Sequence, residues 1–357
     1  MPKVLHLVYS GMGGASSVVF SLIEADKKNF LNQSILFIGP KFNKYFSTKC
    51  KKLKVQYSWI VTTKFLYFFS FLITFHQIRK YKPNVILIHN YYILPCILYK
   101  IFYQGVKIIY VNHKPLNTLD SKDRMMKYFQ IFLDKFVFLN NKTLFFAKKN
   151  FYIPVKKICL ITNGINIDFF SPIHPQKSKV FKVGMACRVN KIKCYDLIAN
   201  ALNHSLLKHL NIEFSLAGEG EDLIHFKKRV KNLGLQNKIK FVGNLNEPNL
   251  KKWYSHLNIY IQASIGEGAP ISLIQAMSMG IPAMGSRVPG INEILGKKYV
   301  GQLFKNSTED LAKKINYFYF LNKNKILKYA KTQREYVICN HNYKIMFKKY
   351  FFIIKNI

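Results

Sequence analysis

Apolar residues along this chain follow two alternating patterns, one typical of buried strands and one typical of helices. Short runs of β-branched and other apolar residues predict buried strands in the first half at 4–9, 34–38, 84–89 and 107–112. Between them, apolar positions recur at helical spacing and predict helices that begin near residues 15–16, at 63 and at 91. Strands that alternate with helices in this way indicate an α/β protein with parallel sheets.

The alternation restarts after a proline-containing segment near residue 172, and this restart predicts a second domain. Its strands are predicted to end at 187 and to occupy 212–217, 240–242 and 257–263. A chain of 357 residues is long enough for two domains of ordinary size. We therefore expect one domain at 1–170 and another at 178–335.

The helix predicted at 63–80 has wide apolar coverage, with polar residues at positions 67, 70, 74 and 77. Its apolar residues include Phe65, Phe68, Phe69 and Leu72. Such a helix either fills the protein core or lies partly in a membrane interface, beside the six lysines of segment 41–54. The pattern alone leaves both interpretations open.

The charge distribution favours an anionic partner. The formal net charge is +38, and between Lys27 and Leu119 there are 15 Lys and Arg but no Asp or Glu. A segment this basic attracts nucleic acid, acidic lipid or phosphorylated substrates. A genome-wide bias towards lysine is the other explanation, although it accounts less well for the missing acidic residues.

Cysteine spacing and hydropathy favour a cytosolic protein. The six cysteines form no C-x-x-C pair, which favours reduced thiols over a disulfide or zinc framework. A strand-like segment follows Met1 at once, so we expect no secretory signal peptide. The longest apolar run, 65–75, is shorter than the roughly 20 residues that cross a bilayer.

The segment 257–290 carries the clearest candidate site. After its predicted strand, Gly266 and Gly268 break the pattern, and Pro270 suits the first turn of a helix. In a parallel sheet, ligands bind where a strand ends and a helix begins, because free backbone N–H groups there attract phosphate. Glu267 lies at this point, and Gln275 follows two helical turns later on nearly the same face.

Two other strand ends carry groups suited to phosphate. Gly13 and Gly14 follow the first strand and precede a helix, and a residue without a Cβ allows close approach of a ligand. Arg188 and Lys193 follow the strand that ends at 187, where two cations could clamp a diphosphate.

A histidine also occupies a strand end. His113 comes directly after the strand at 107–112, on the edge of the sheet where ligands bind, and His89 has a similar position. A single histidine in such a place is either a functional group or a structural hydrogen-bonding residue, and the residues alone do not decide between these roles.

The run EGAPISLIQAMSMGIP resembles the signature of the retaining glycosyltransferases of family 4, which have the GT-B fold. Glu267 matches the first glutamate of that signature, and Gln275 stands in the place of the second. Arg188 and Lys193 match the two cations of the family's G-R-L-x-x-x-K-G segment, where Cys194 replaces the usual glycine.

The resemblance implies a GT-B architecture. In this α/β fold, two Rossmann-like domains face each other across a cleft, and a C-terminal helix crosses back to the N-terminal domain. The segment 158–172 resembles the family's junction between the two domains, N-G-[IV]-[DN]-x-x-x-F-x-P. The returning helix is expected at about 336–357, as part of the N-terminal, acceptor-side domain.

The resemblance also implies the roles of individual residues. Glu267 is expected to contact hydroxyl groups of the donor sugar, and His113 to lie near the reacting sugar. The residues expected to bind the donor are Gly13, Gly14, Arg188, Lys193, Asn244, Gly268, Ala269, Pro270, Ile271 and Gln275. The sequence shows neither an Asp-x-Asp motif nor a metal-ligand cluster, so we expect neither a metal nor another cofactor.

These features predict a cytosolic, metal-independent retaining hexosyltransferase. It would move a sugar from a nucleotide donor, a UDP-sugar in particular, to a glycan acceptor that is lipid-linked. The product would serve bacterial surface polysaccharide synthesis, of which lipopolysaccharide is one case. The basic N-terminal domain would bind peripherally to the anionic inner face of the cell membrane.

Two alternative functions remain. A GT-B sugar-nucleotide epimerase would use the donor without a glycosyl acceptor. A non-enzymatic nucleic-acid-binding protein would bind DNA or RNA through its charge alone. Nucleic acid is the less expected partner, because the basic residues are not organised on a recognition motif.

Overall fold

The computed structural model describes residues 1–11, 13–40, 43–62, 67–90, 92–114, 126–173, 178–296 and 302–357. Its backbone contacts divide the chain into two compact units. Unit 1 comprises Met1–Asn166 together with Tyr343–Ile357, and unit 2 comprises Ile167–Asn342. Unit 1 is therefore built from two separate stretches of sequence.

Among the described residues, unit 1 contains a seven-stranded parallel sheet in the order β3-β2-β1-β4-β5-β6-β7. Its strands are β1 (Lys3–Tyr9), β2 (Asn32–Gly39), β3 (Gln56–Val61), β4 (Val85–Ile88), β5 (Lys107–Asn112), β6 (Lys135–Phe138) and β7 (Ile158–Leu160). Its first helices are α1 (Gly14–Ala25), α2 (Lys44–Lys52), α3 (Tyr67–Tyr81), α4 (Ile93–Phe102) and α5 (Asn141–Phe151). The predicted strands and helices of this half all occur, and a short strand and a helix expected within 134–155 correspond to β6 and α5. Strands β3 and β7 and helix α2 were not predicted.

Side chains alternate across the strands of this sheet, so each face builds its own core. Leu5 and Leu7 of β1 pack on one face with apolar residues of α3, α4 and α5. Val8 packs on the opposite face with Val19 and Phe20 of α1. Burial on both faces explains why the strands are apolar throughout rather than alternating with polar residues.

Helix α3 buries two polar residues on the side that also carries Ile78. Ser70 and Thr74 are fully buried, whereas Phe69 and Leu72 are 58% and 53% exposed. The buried hydroxyls are satisfied, because Thr74 Oγ1 donates to the carbonyl of Ser70 at 2.6 Å and the Ser70 hydroxyl lies 3.3 Å from that of Tyr92. The interpretation of this segment as a helix whose apolar side fills the core is therefore wrong for Phe69 and Leu72. Residues 63–66 lie outside the described part of the chain.

Unit 2 contains, within its described residues, a six-stranded parallel sheet in the order β10-β9-β8-β11-β12-β13. Its strands are β8 (Phe181–Ala186), β9 (Ile212–Ala217), β10 (Ile239–Gly243), β11 (Ile259–Gln262), β12 (Ala283–Ser286) and β13 (Leu303–Phe304). Its helices are α6 (Tyr195–Leu202), α7 (Leu223–Asn232), α8 (Glu247–Ser255), α9 (Ile271–Ser278), α10 (Pro289–Leu295), α11 (Thr308–Tyr319) and α12 (Lys323–Asn340). The sequence pattern did not predict α11 or α12.

A last helix, α13 (Tyr343–Lys355), belongs to unit 1 and packs against α1. The backbone N–H of Tyr343 donates to the carbonyl of Ile165 at 3.0 Å, and the rings of Phe351 and Phe30 lie 5.3 Å apart. The N–H of Gly164 also lies 3.1 Å from Met346 Sδ. These contacts return the chain to its first unit.

Among the described residues, no helix has both the length and the apolarity that crossing a membrane requires.

Helix α12 is tied to the sheet of unit 2 by one buried amide. The side chain of Gln333 accepts a hydrogen bond from the N–H of Ala283 in β12 and donates one to its carbonyl, both at 2.8 Å. Gln333 is fully buried. The amide thus satisfies two strand groups that water does not reach.

We expect Gln333→Met to lower the free energy of unfolding of unit 2 by about 2–4 kcal/mol, because it leaves both buried Ala283 groups unpaired. Urea unfolding checks the value, with Lys331→Met on the exposed face of α12 as the matched control. Equal stability of the two variants would contradict the role given to Gln333.

Candidate active site

The strand order of unit 2 reverses between β8 and β11, which are adjacent and parallel. Ligands of open parallel sheets bind outside the carboxyl ends of the strands at such a reversal. Arg188 and Lys193 follow β8, and Glu267 follows β11. The structure therefore brings these three predicted residues to the expected edge of the sheet.

Glu267 is the centre of a partly buried polar cluster. Lys193 Nζ lies 2.5 Å from Glu267 Oε1, and Gln262 Nε2 donates to the same oxygen at 2.8 Å. Glu267 is 8% exposed. Among the described residues, both of these bonds use Oε1, so the second carboxylate oxygen remains able to accept a hydrogen bond from a ligand.

Gln262 connects the carboxylate to helix α9. Its Oε1 accepts hydrogen bonds from the hydroxyls of Tyr260 at 2.8 Å and Ser272 at 3.0 Å. Because Oε1 is occupied by these donors, the amide nitrogen faces Glu267. The orientation of the Glu267 side chain is thus fixed from the strand as well as from Lys193.

Gln275 belongs to the same region but does not contact Glu267 directly. The Tyr254 hydroxyl shares its one proton between the carbonyl of Ser272 at 3.0 Å and Gln275 Oε1 at 3.3 Å. Gln275 is 4% exposed. The residue that replaces the second glutamate is therefore a nearly buried amide held by a tyrosine.

The loops that carry Lys193 and Glu267 are joined by two hydrogen bonds to one carbonyl. The N–H of Ile265 and the hydroxyl of Ser264 both donate to the carbonyl of Ile192, at 2.9 and 3.1 Å. These bonds fix the distance between the two loops.

Gly290 packs directly beneath this region. A Cβ at Gly290 would lie 2.4 Å from the carbonyl oxygen of Glu267 and 2.3 Å from that of Gly268. Glycine is therefore required for this close approach of two backbone segments.

The motif residues after Glu267 form the start of α9. Pro270 precedes Ile271, the first residue of the helix, and no acidic residue occurs in the first turn. The first N–H groups of a helix have no partner within it and carry partial positive charge. Gly268 and Ala269 bring the chain into this helix at the edge where Glu267 lies.

Two surface pairs flank the cluster. Arg188 Nε donates to Glu221 at 3.1 Å, and Asn244 Nδ2 donates to Glu219 at 2.8 Å. The side chains of Arg188 and Glu221 are both more than half exposed. An exposed pair of this kind contributes little to stability, so the guanidinium can exchange its partner for an anionic ligand at small cost.

Cys194 directly precedes helix α6, with φ 43° and ψ 38° in the left-handed region. This conformation is unfavourable for a residue with a Cβ, which explains why the resembling family has glycine there.

In unit 1, the strand order reverses between β1 and β4. Gly13 and Gly14 lie at the end of β1, where Ser16 holds the loop by donating to the carbonyls of Tyr9 and Gly11 at 3.2 and 3.3 Å. No described atom comes within 4 Å of a Cβ built on Gly13. The described part of the chain therefore leaves the position beside this glycine open.

Three histidines form a line along the same face of this sheet. His113 Nε2 lies 2.9 Å from His89 Nδ1, and His89 Nε2 lies 3.3 Å from His6 Nδ1. At the far end, His6 Nε2 lies 3.0 Å from Gln33 Oε1. We call these three residues the imidazole chain.

Burial lowers the pKa of each member of the imidazole chain. The pKa values of His6 and His113 fall to about 4, chiefly through desolvation, while the hydrogen bond to Gln33 opposes part of the effect at His6. The pKa of His89 falls well below the usual value, through burial first and then through its two histidine neighbours. All three imidazoles are therefore neutral at neutral pH.

The described residues contain no group of three or more His, Cys, Asp or Glu side chains arranged to hold a metal ion. The imidazole chain fits this finding, because its nitrogens are directed at one another rather than at a common point.

Several residues of the two clusters were not predicted. Gln262, Ser272 and Tyr254 complete the surroundings of Glu267 and Gln275, and His6 with Gln33 completes the imidazole chain. A visible signal existed for two of them, because Gln262 and His6 are polar residues within otherwise apolar strands.

Comparison with known proteins finds similarity that lies mainly in unit 2. Residues 166–335, slightly less than half of the chain, match the family model of group 1 glycosyl transferases. An uncharacterized glycosyltransferase of Methanocaldococcus jannaschii is 24% identical over 58% of this chain and 57% of its own. The Escherichia coli UDP-Gal:alpha-D-GlcNAc-diphosphoundecaprenol alpha-1,3-galactosyltransferase is 24% identical over 50% of each chain. The chain thus spans about half the length of the curated relatives it matches.

A solved structure resembles the chain over its whole length. The Anabaena protein HepE, crystallised with UDP and glucose, aligns over 100% of both chains with a TM-score of 0.83 at 15% identity. The chain has the GT-B fold. The predicted α/β class with two Rossmann-like units is therefore confirmed.

The imidazole chain makes the stability of unit 1 depend on pH. An unfolded histidine binds a proton near pH 6.5, whereas folded His6 does so only near pH 4. Between these values the unfolded state binds more protons, so the free energy of unfolding falls as pH falls. We expect His6 alone to contribute about 1.4 kcal/mol per pH unit in this window.

Urea unfolding between pH 7.5 and 4.5 measures this slope. His6→Asn is expected to reduce this slope by the amount that one bound proton contributes, about 1.4 kcal/mol per pH unit. His209→Asn, at an exposed position, is the matched control variant. The same slope in both variants would show that His6 is not buried as a neutral group.

Proposed function

We propose that this protein is a retaining glycosyltransferase of the family 4 type that transfers a sugar from a nucleotide-sugar donor. The observation that carries the proposal is the Lys193–Glu267 cluster. It lies at the strand-order reversal of unit 2, within the residues that match the group 1 glycosyl transferase model.

The leaving diphosphate is the group that this edge of the sheet suits best. Arg188 presents an exposed guanidinium, and the ammonium of Lys193 has three N–H donors, only one of which is needed by Glu267. The N-terminus of α9 adds partial positive charge. Positive groups that are already in place stabilise the charge that develops on a leaving diphosphate.

Glu267 is proposed to bind the donor sugar. Lys193 and Gln262 hold one of its oxygens, so the other can accept hydrogen bonds from sugar hydroxyls. Because both partners restrain the carboxylate, it loses little freedom when the sugar binds. No carboxylate nucleophile is required if the acceptor attacks from the side that the diphosphate leaves.

Gln275 is proposed to hold the ribose of the donor. Its Oε1 is shared with the Tyr254 hydroxyl, and its amide nitrogen supplies donors that a glutamate would lack. A neutral amide binds a hydroxyl less strongly than a carboxylate by roughly 1 kcal/mol. This substitution therefore affects donor affinity or donor choice more than the reaction.

A UDP-sugar is the proposed donor, and a lipid-linked glycan is the proposed acceptor. The structural neighbour HepE was crystallised with UDP and glucose, and the Escherichia coli relative is named for UDP-Gal and a diphosphoundecaprenol acceptor. A hexose transferred in bacterial surface polysaccharide synthesis, lipopolysaccharide included, fits both likenesses.

Thermal stabilisation by UDP-, GDP-, ADP- and CMP-sugars tests the donor. A ligand present at 100 times its dissociation constant raises the free energy of unfolding by about 2.7 kcal/mol, which raises Tm by several degrees. We expect this shift with a UDP-sugar and a smaller one in Glu267→Ala. Glu309→Ala is the matched control, since Glu309 is exposed and pairs with Lys313 on the surface of α11.

No shift with any sugar nucleotide, in a folded sample, would contradict the proposed function. Consumption of the donor without a new glycosidic bond would instead favour the epimerase alternative.

We further propose that unit 1 binds peripherally to the cytoplasmic face of the cell membrane. Helix α3 and the end of α4 are neighbours, since the rings of Phe75 and Phe102 lie 6.0 Å apart. Both carry exposed apolar residues, namely Phe69, Leu72, Ile73, Ile101 and Phe102. Arg79 and Lys80 are exposed on the same helix α3. Apolar side chains beside basic ones are typical of helices that lie in a membrane interface.

We expect binding to vesicles that contain anionic lipid, and release by salt. Phe69→Ser combined with Leu72→Ser is expected to weaken binding at least about tenfold, because burial of each side chain contributes about 1.5–3 kcal/mol when complete. Ile224→Ser is the control, since Ile224 is 80% exposed but belongs to unit 2. Vesicle binding that changes neither with salt nor with the content of anionic lipid would contradict the proposed membrane binding.

A further inference from the structure

Beyond His6, the line of hydrogen bonds continues through Gln33 to a buried aspartate, Asp26. Gln33 Nε2 donates to Asp26 Oδ2 at 3.2 Å. Asp26 Oδ1 and Oδ2 also accept hydrogen bonds from the backbone N–H groups of Phe30 and Leu31, at 2.8 and 3.0 Å. Asp26 is only 5% exposed. A carboxylate with these partners acts only as an acceptor.

This carboxylate determines the direction of every hydrogen bond in the line. Because Asp26 only accepts, the amide nitrogen of Gln33 faces it, and the amide oxygen faces His6. His6 must then donate from Nε2, which leaves its Nδ1 as an acceptor, since a neutral imidazole carries one N–H.

The donor nitrogens of His89 and His113 follow in the same way. His89 must donate from Nε2 to His6 Nδ1, so its own Nδ1 accepts. His113 must then donate from Nε2 to His89 Nδ1. Each ring is therefore protonated on Nε2, and the lowered pKa values keep all three neutral, as this directed arrangement requires.

We propose that the hydrogen-bonded line from Asp26 fixes His113 in the tautomer protonated on Nε2 and leaves Nδ1 as an acceptor for a substrate hydroxyl. His113 is partly exposed at the carboxyl end of β5, and among the described residues its Nδ1 has no hydrogen-bond partner. The substrate role rests on the proposed function. Within it, His89, His6 and Gln33 are positioning residues that act through His113.

The tautomers are measured directly by long-range ¹H–¹⁵N correlation on protein labelled with ¹⁵N-histidine. We expect His113 to show a pyridine-like Nδ1 and a pyrrole-like Nε2, and His6 and His89 to show the same. Loss of signals in His113→Gln assigns the resonances. A pyrrole-like Nδ1 at His113 in the unaltered protein would overturn the proposal without any variant.

The Gln33→Lys variant tests whether residue 33 determines which nitrogen donates in each hydrogen bond of the line. Lysine only donates, so it turns His6 Nε2 into an acceptor and reverses the whole line, which places the proton of His113 on Nδ1. Gln33→Met, of similar length but without donor or acceptor, is the matched control and should not produce the reversal. A folded lysine variant with an unchanged His113 tautomer would overturn the coupling.

Activity then separates the two proposals. Transfer by Gln33→Lys is expected to fall about tenfold in kcat, because Nδ1 of His113 then carries the proton and can no longer accept a hydrogen bond from the substrate hydroxyl. If the tautomers are as stated but no sugar is transferred by the unaltered protein, the proposed function fails and the tautomer assignment stands. If the proton of His113 moves to Nδ1 in Gln33→Lys and kcat is unchanged, Nδ1 does not accept a hydrogen bond from the substrate.

Discussion

Parallel pairing of the strands is the constraint on which both candidate sites depend. In each unit, the paired strands run in the same direction, so the chain leaves every strand at one edge of the sheet. Residues far apart in sequence, such as Lys193 and Glu267, meet there because β8 and β11 are neighbours. The reversal of strand order then keeps the following helices apart and leaves room for a ligand at that edge.

The partly buried ion pair between Lys193 and Glu267 is better understood as a positioning device than as a source of stability. Removing two charges from water costs free energy that their attraction only partly returns. Gln262 and two hydrogen bonds between the loops accompany the pair, and together they hold the carboxylate in one orientation. A neutral amide at Gln275 fits the same setting, because it is nearly buried and would cost more as a carboxylate.

The sequence located candidate site residues wherever they lie shortly after the end of a strand. Glu267, Arg188 and His113 could be located because each directly follows an apolar run that reads as a strand. Gln262 and Ser272 could not be assigned as partners, since their contacts depend on the order of the strands and on how α9 packs. Periodicity likewise showed that α3 has two sides but not which side faces the protein, so its buried Ser70 and Thr74 were unexpected. The largely polar helix α12 offered too weak a pattern for prediction, although Gln333 makes it part of the fold.

The return of α13 to unit 1 has a consequence for synthesis on the ribosome. Residues 1–166 emerge first, yet the surface of α1 that α13 covers stays uncovered until residues 343–355 have been made. Unit 2 is continuous from Ile167 to Asn342 and can complete its own core before that point. The first unit to leave the ribosome is therefore the last to be finished, and during that interval its exposed apolar surface is open to chaperones and to aggregation.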